Sequence, residues 1–160
     1  LDTSVNKFVR TMHISCFSFT EIASLAQSLM VDNGGSLITL TYYGAERIMP
    51  NYNIMGVAKA ALETSVKYLA ADLGPNQIRV NALSAGPVRT LAGSAIGSAR
   101  KIYKWSTANA PLRRSVTLDQ LGNSALYLLS DLSEGVTGEI HHVDAGYNII
   151  GLPHISEDKK

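Results

Sequence analysis

The sequence of 160 residues predicts an α/β fold, with a parallel sheet and helices on its faces. Three observations carry this. Helical periodicity alternates with short strand-like runs, in the order helix, strand, helix, strand, helix, strand. Gly and Pro signals punctuate the boundaries. The composition, 46% apolar and 17% charged, is that of a well-buried globular chain, long enough for one domain and a sizeable core.

The elements follow in order. Thr3 to Met30 reads as one long helix, because Phe8, Met12, Cys16, Phe19, Ile22, Ala26 and Leu29 recur every three or four residues. Thr3 or Ser4 can cap its start. "DNGG" at 32–35 is a turn, and "SLITLTYY" (36–43) a buried strand rich in Ile, Leu and Thr. After a loop with Gly44 and Pro50, Asn51 to Leu73 reads as a second long helix, stopped by Gly74 and Pro75. "QIRVNALSAGPV" (77–88) is a strand running into a Gly-Pro turn. "TLAGSAIGSAR" (90–100) is nearly all small residues, which suits a mobile or loosely packed segment; residues 101–105 look helical. Thr117 and Gln120 form a capping-box pattern before a helix through "LGNSALYLLSDL". "IHHVDAG" (140–146) is a last short strand, and the tail at 155–160 is solvated and frayed. Parallel sheets of this kind bind ligands at the carboxyl ends of their strands. That points to Tyr42–Pro50, Ser84–Ile96 and Ala145–Ile150.

Composition also excludes. A net charge of +1 gives no footprint for nucleic acid. The single cysteine, Cys16, rules out an internal disulfide framework and fits a reducing compartment. No apolar run approaches a membrane span. "LDTSVNKFVR" has no signal-peptide pattern and no initiator Met, so it reads as interior sequence. His141 and His142 alternate in facing and lack carboxylate or Cys spacing, so no metal site is expected.

Lys59 is the anomaly. Written as heptads, the second long helix places Tyr52, Lys59, Val66 and Leu73 at one position, and Met55, Leu62 and Leu69 at the other. Seven residues fall ~20° short of two turns, so Tyr52 and Lys59 point the same way, roughly 10 Å apart along the axis. A lysine on an apolar stripe must snorkel out, find a partner, or serve chemistry. Held beside Tyr52, its charge would make that phenol a better proton donor and would support a nearby oxyanion.

At these residues the sequence resembles a known family. Tyr52-x6-Lys59, with Tyr42 ten residues upstream, is similar to the active site of bacterial NADH-dependent enoyl-acyl-carrier-protein reductases, a divergent branch of the short-chain dehydrogenase/reductase superfamily. The likeness continues through "YGAER", "PNYN", "MGVAKAALE", "IRVNALSAGPVRTLA", "PLRR", "GNSALYLLSDLS" and "GEIHHVDAGYNI". Most of the superfamily uses Tyr-x3-Lys, a spacing that lands here on Gly56.

The resemblance implies a Rossmann-like, doubly wound parallel sheet, lacking its N-terminal strands in this chain. It implies NADH-dependent reduction of the trans-2 double bond of enoyl thioesters in fatty-acid elongation, by a cytoplasmic homotetramer. By match, Tyr52 would stabilise an enolate, Lys59 would hold the nicotinamide ribose, and Tyr42 would line the pocket as a second proton-handling group. Val88, Arg89, Thr90, Leu91 and Ala92 would contact the cofactor. Met55, Ala92 and Ile96 would line the acyl pocket, and 90–104 would be the substrate-binding segment. Arg100 and Lys101 would meet the acidic carrier protein, although Gly97 stands where the family has a further basic residue. The Ala and Ser on the outer faces of the helices at 3–30 and 52–73 would suit a subunit interface.

One departure is large: no G-x-G-x-x-G or equivalent is present, and "NGGS" at 33–36 is only a turn. A long unpaired sheet edge and poor NADH binding by this chain alone are the expectations. The alternatives are another reductase of the superfamily, such as a ketoacyl reductase, or an inactive half-domain.

Overall fold

A computed structural model describes residues 2–88 and 99–152. Arg89, Thr90, Leu91, Ala92, Ile96 and Gly97, and the tail at 155–160, lie outside the described residues. At the centre is a parallel sheet in the order β1 (Gly35–Thr41), β2 (Ile78–Ala85), β3 (Ile140–Val143). The central strand is buried almost continuously, as expected of a strand covered on both faces.

Alternate residues of β2 show what covers each face. Ile78, Val80 and Ala82 pack against Ala23 and against Val66, Ala70 and Leu73 of helix α3 (Asn53–Leu73). On the other side, Arg79 reaches the end of a helix at Leu118–Leu129. Its guanidinium donates to the carbonyls of Leu128 (2.9 Å) and Ser130 (3.0 Å) and to Ser133 Oγ (2.7 Å). The buried Asn81 ties the same region, donating to Val136 O at 2.9 Å and accepting from Glu139 N at 3.0 Å.

The first expected helix starts at Val5, with Ser4 Oγ capping Lys7 N at 3.3 Å. It is three joined pieces: α1 (Val5–Met12), a π-helical turn at His13–Phe17, and α2 (Ser18–Met30). The π turn faces α3, where Ser15 Oγ donates to Met55 Sδ at 3.7 Å and Cys16 Sγ lies 3.7 Å from Ser65 Oγ. Periodicity alone does not distinguish such a turn from regular helix. The outer face of this run carries Val5, Val9, Ile14, Ile22, Leu25 and Leu29, all largely exposed. These large apolar side chains stand there beside the expected small residues, of which Ser24 and Ser28 are exposed.

Other boundaries also differ from expectation. β1 ends at Thr41, two residues early, because Tyr43 opens a 3₁₀ turn at Tyr43–Ala45. α3 begins at Asn53, with Tyr52 as its helical-backbone cap. It ends at Leu73, capped by Gly74 (φ −56°), as the Gly-Pro signal predicts; a 3₁₀ turn at Gly74–Asn76 follows, and the left-handed residue is Gln77 (φ 56°). The helix expected at 101–105 is longer, α4 (Ala99–Asn109), so the part of the expected substrate-binding segment from residue 99 onward is helical. In α5 (Leu118–Leu129) both arms of the capping box form, Thr117 Oγ1 to Gln120 N at 3.2 Å and Gln120 Oε1 to Thr117 N at 3.1 Å. β3 stops at Val143, before a turn through Ala145 (φ 60°) and Gly146 (φ 83°). Among the described residues β1 pairs only with β2, so its outer edge is unpaired, as expected.

Candidate active site

All three strands run the same way, so their carboxyl ends share one edge of the sheet. Tyr42 follows β1, Gly86 to Val88 follow β2, and Asp144 to Asn148 follow β3. These segments meet. Tyr43 Oη donates to Asn148 O at 2.8 Å, and its ring stands edge-on to Tyr147 with centroids 5.8 Å apart. Tyr42, Met49 and Val88 pack on that cluster. The Asp144 carboxylate is engaged in holding the last turn, accepting from Gly146 N at 2.9 Å and Asn148 N at 2.8 Å.

Tyr42 and Tyr52 stack edge to face, centroids 5.2 Å apart. Two glycines make this possible. A Cβ on Gly44 would lie 2.5 Å from Tyr52 Cδ1 and 3.2 Å from Tyr42 Cδ1. A Cβ on Gly56 would lie 2.7 Å from Gly44 O. Gly44 is therefore the floor under both rings, and Gly56 is the notch that receives the Gly44 carbonyl. Gly56 is also the position where Tyr-x3-Lys would need a lysine. Here no side chain fits there unless the loop backbone moves.

Lys59 is half-buried and does not simply snorkel into water. Its ammonium donates to Leu40 O, at the end of β1, at 2.8 Å. Next to that contact, Thr41 Oγ1 donates to Glu63 Oε1 at 2.6 Å.

The electrostatics run against one expectation. The Tyr52 phenol is pushed above its ordinary range, first by burial and then by the Glu63 charge, and not drawn down by Lys59. The Lys59 ammonium is committed to a backbone carbonyl, and a carboxylate one turn further along α3 acts in the opposite sense. Tyr42 is pushed up to about 12 by burial, then by Tyr147 and Tyr52. Burial lowers Lys59, while Cys16 and Glu63 oppose that shift. Burial raises Glu63, and the Thr41 hydrogen bond opposes it. Both phenols thus hold their protons firmly at neutral pH and can donate to a carbonyl oxygen.

The remaining expected residues scatter. Met55 is half-buried, with its sulfur turned to Ser15. Arg100 and Lys101 are exposed in the first turn of α4, where the helix dipole disfavours cations, so helix stability does not explain them. His142 Nε2 pairs with Glu46 at 2.7 Å, tying the loop after Tyr43 to β3. Sequence reasoning missed Thr41, Glu63, Gly44 and Gly56 as parts of the site. The one available signal was that Glu63 stands four residues after Lys59, on the same helix face.

A parallel α/β sheet with polar side chains gathered at its strand carboxyl ends defines a Rossmann-like fold. Within that class, the chain belongs to the enoyl-(acyl carrier protein) reductase family, whose profile matches residues 1–148. It is 64% identical, over 95% of its length, to enoyl-[acyl-carrier-protein] reductase [NADH] 1 of Rhizobium meliloti strain 1021, and covers 56% of that protein. It superposes with TM-score 0.92 on the enoyl-(acyl-carrier-protein) reductase of Anaplasma phagocytophilum in complex with NAD, at 62% identity, covering 96% of this chain and 58% of that one. The Bacillus cereus enoyl-acyl carrier protein reductase, solved with NADP+ and an indole naphthyridinone, gives TM-score 0.91 at 53% identity, covering 94% and 58%. The chain thus spans a little over half the length of these relatives.

Proposed function

We propose that the protein containing this chain reduces the trans-2 double bond of enoyl-acyl-carrier-protein thioesters with NADH, in the reductive step of fatty-acid elongation. The observation that carries the reading is the Tyr42–Tyr52 pair at the strand carboxyl ends, seated on the Gly44–Gly56 interlock, with Lys59 bonded to the end of β1. Bound NADH would supply the hydride that adds to the β-carbon. The Tyr52 phenol donates a hydrogen bond to the thioester carbonyl and stabilises the enolate oxygen as it forms. Its raised pKa keeps the proton on the donor until then. Lys59 has three N–H donors; with one on Leu40 O, the others suit the vicinal hydroxyls of a ribose. Tyr42, beside Tyr52, is the second phenol for substrate contact and proton handling. Val88 sits in the same cluster and so can reach the cofactor, and the assignments of Arg89, Thr90, Leu91, Ala92, Met55 and Ile96 follow the family match. Exposed Arg100 and Lys101 would receive the acidic carrier protein.

The reading extends to a homotetramer in the cytoplasm. The exposed apolar face of α1 and α2 supports the assembly, as does a groove of about 490 Å³ between Phe8, Met12, Phe17 and Ser65. Among the described residues no helix is long and apolar enough to cross a membrane. The test uses the full-length protein with an enoyl thioester, following NADH oxidation. Tyr52→Phe should slow turnover and Lys59→Ala should weaken NADH binding. Wild-type kinetics in both variants would refute the assignment, and activity on ketoacyl but not enoyl thioesters would shift it to the ketoacyl branch.

A further inference from the structure

We propose that Thr41 and Glu63 form a positioning clamp that holds Lys59 and the Tyr52 end of α3 in working register with β1; this rests on the reading of Tyr52 and Lys59 given above. The last two residues of β1 are each bonded to α3. Leu40 O accepts from Lys59 Nζ at 2.8 Å, and Thr41 Oγ1 donates to Glu63 Oε1 at 2.6 Å. Lys59 and Glu63 are one helical turn apart, so the two contacts fix both the height and the rotation of the helix against the strand end. One bond alone would leave a pivot. The segment between the two bonded regions, Tyr42 to Tyr52, carries both phenols.

The clamp is a part-buried polar contact. Thr41 is only 4% exposed, so its hydroxyl needs a partner, and Glu63 provides it. The surrounding charges are mixed. Glu63 faces Lys67 on its own helix, Glu46 from the loop after β1, and His142 from β3. Lys59 faces Glu63 and, from the π turn, Cys16. Tyr52 faces Glu63. Glu63 is the group that both Lys59 and Tyr52 face, so it acts on the chemistry through them without needing to touch substrate.

The test uses full-length Thr41→Val, Thr41→Ser and Glu63→Gln. Thr41→Val should lower kcat about tenfold through misplacement of the pair, and Thr41→Ser, which keeps the hydroxyl, should restore it. Glu63→Gln keeps the shape and an acceptor for Thr41 but removes the charge that raises both Tyr52 and Lys59. The alkaline limb of the kcat profile should therefore move to lower pH, by roughly half a unit. A purely structural contact would lower the melting temperature and leave that limb in place. A wild-type limb in Glu63→Gln, with Tyr52→Phe and Lys59→Ala still impaired, overturns the clamp alone. Unimpaired Tyr52→Phe and Lys59→Ala overturn the active-site reading and the clamp together.

Discussion

Replacing Gly44 by Ala tests the site at its narrowest point. The added Cβ would sit 2.5 Å from Tyr52 Cδ1 and 2.7 Å from Cε1. Carbon atoms in contact prefer ~3.5 Å or more, so the ring must retreat by about 1 Å. Tyr42 Cδ1, at 3.2 Å, must yield a few tenths as well. A 1 Å misplacement of a reacting group costs about a hundredfold in rate. At 1.36 kcal/mol per tenfold, that is about 2.7 kcal/mol of transition-state stabilisation. The fold should suffer less, because the obstructing atoms belong to a side chain that can swing, with overpacking costing about 1–3 kcal/mol. The assay is steady-state NADH oxidation with an enoyl thioester, alongside a melting curve. A folded Gly44→Ala protein whose kcat/KM stays within about twofold of wild type would refute the interlock reasoning.

Other outcomes follow from the same geometry. For Tyr42, the folded phenol titrates at about 12 against an ordinary value of 10. Across that window the folded chain keeps a proton the unfolded chain has lost, so stability falls as pH rises from 10 to 12. Tyr42→Phe should flatten that slope in urea unfolding; an unchanged slope would contradict it. Arg79→Lys keeps the charge but loses the fork that serves Leu128 O, Ser130 O and Ser133 Oγ. It should destabilise by about 1.5–3 kcal/mol in thermal unfolding. Asn81→Leu strands the Glu139 N–H, leaves the Val136 carbonyl only its long contact to Arg79, and should cost about 1–3 kcal/mol, read the same way.

The alternation of elements was legible because each long helix carries a regular apolar stripe and each strand is short and bounded by Gly or Pro. The capping box at Thr117 was legible too, because its hydrogen bonds are local in sequence. The π turn at His13–Phe17 was not: it adds no distinctive residue and depends on packing against α3. The stop at Gly74 and Pro75 was legible, but the 3₁₀ turn that contains Pro75 and the left-handed Gln77 after it were not. In the site, the spacing of Tyr52 and Lys59 was visible, but the direction of the Tyr52 shift was not. That depends on burial and on Glu63, which Thr41, twenty-two residues earlier, holds by a hydrogen bond. The partner of Lys59 is a backbone carbonyl, which no side-chain pattern encodes.

The seating of the Gly44 carbonyl against Gly56 bears on how such enzymes diverge. A lysine arriving at Gly56 by a single substitution would have to displace the loop that positions Tyr42 and Tyr52, harming the old arrangement before completing the new one. Passage between the two Tyr–Lys spacings therefore requires coordinated changes in the loop and the helix. In this chain, one substitution at Gly56 is not enough to exchange one spacing for the other.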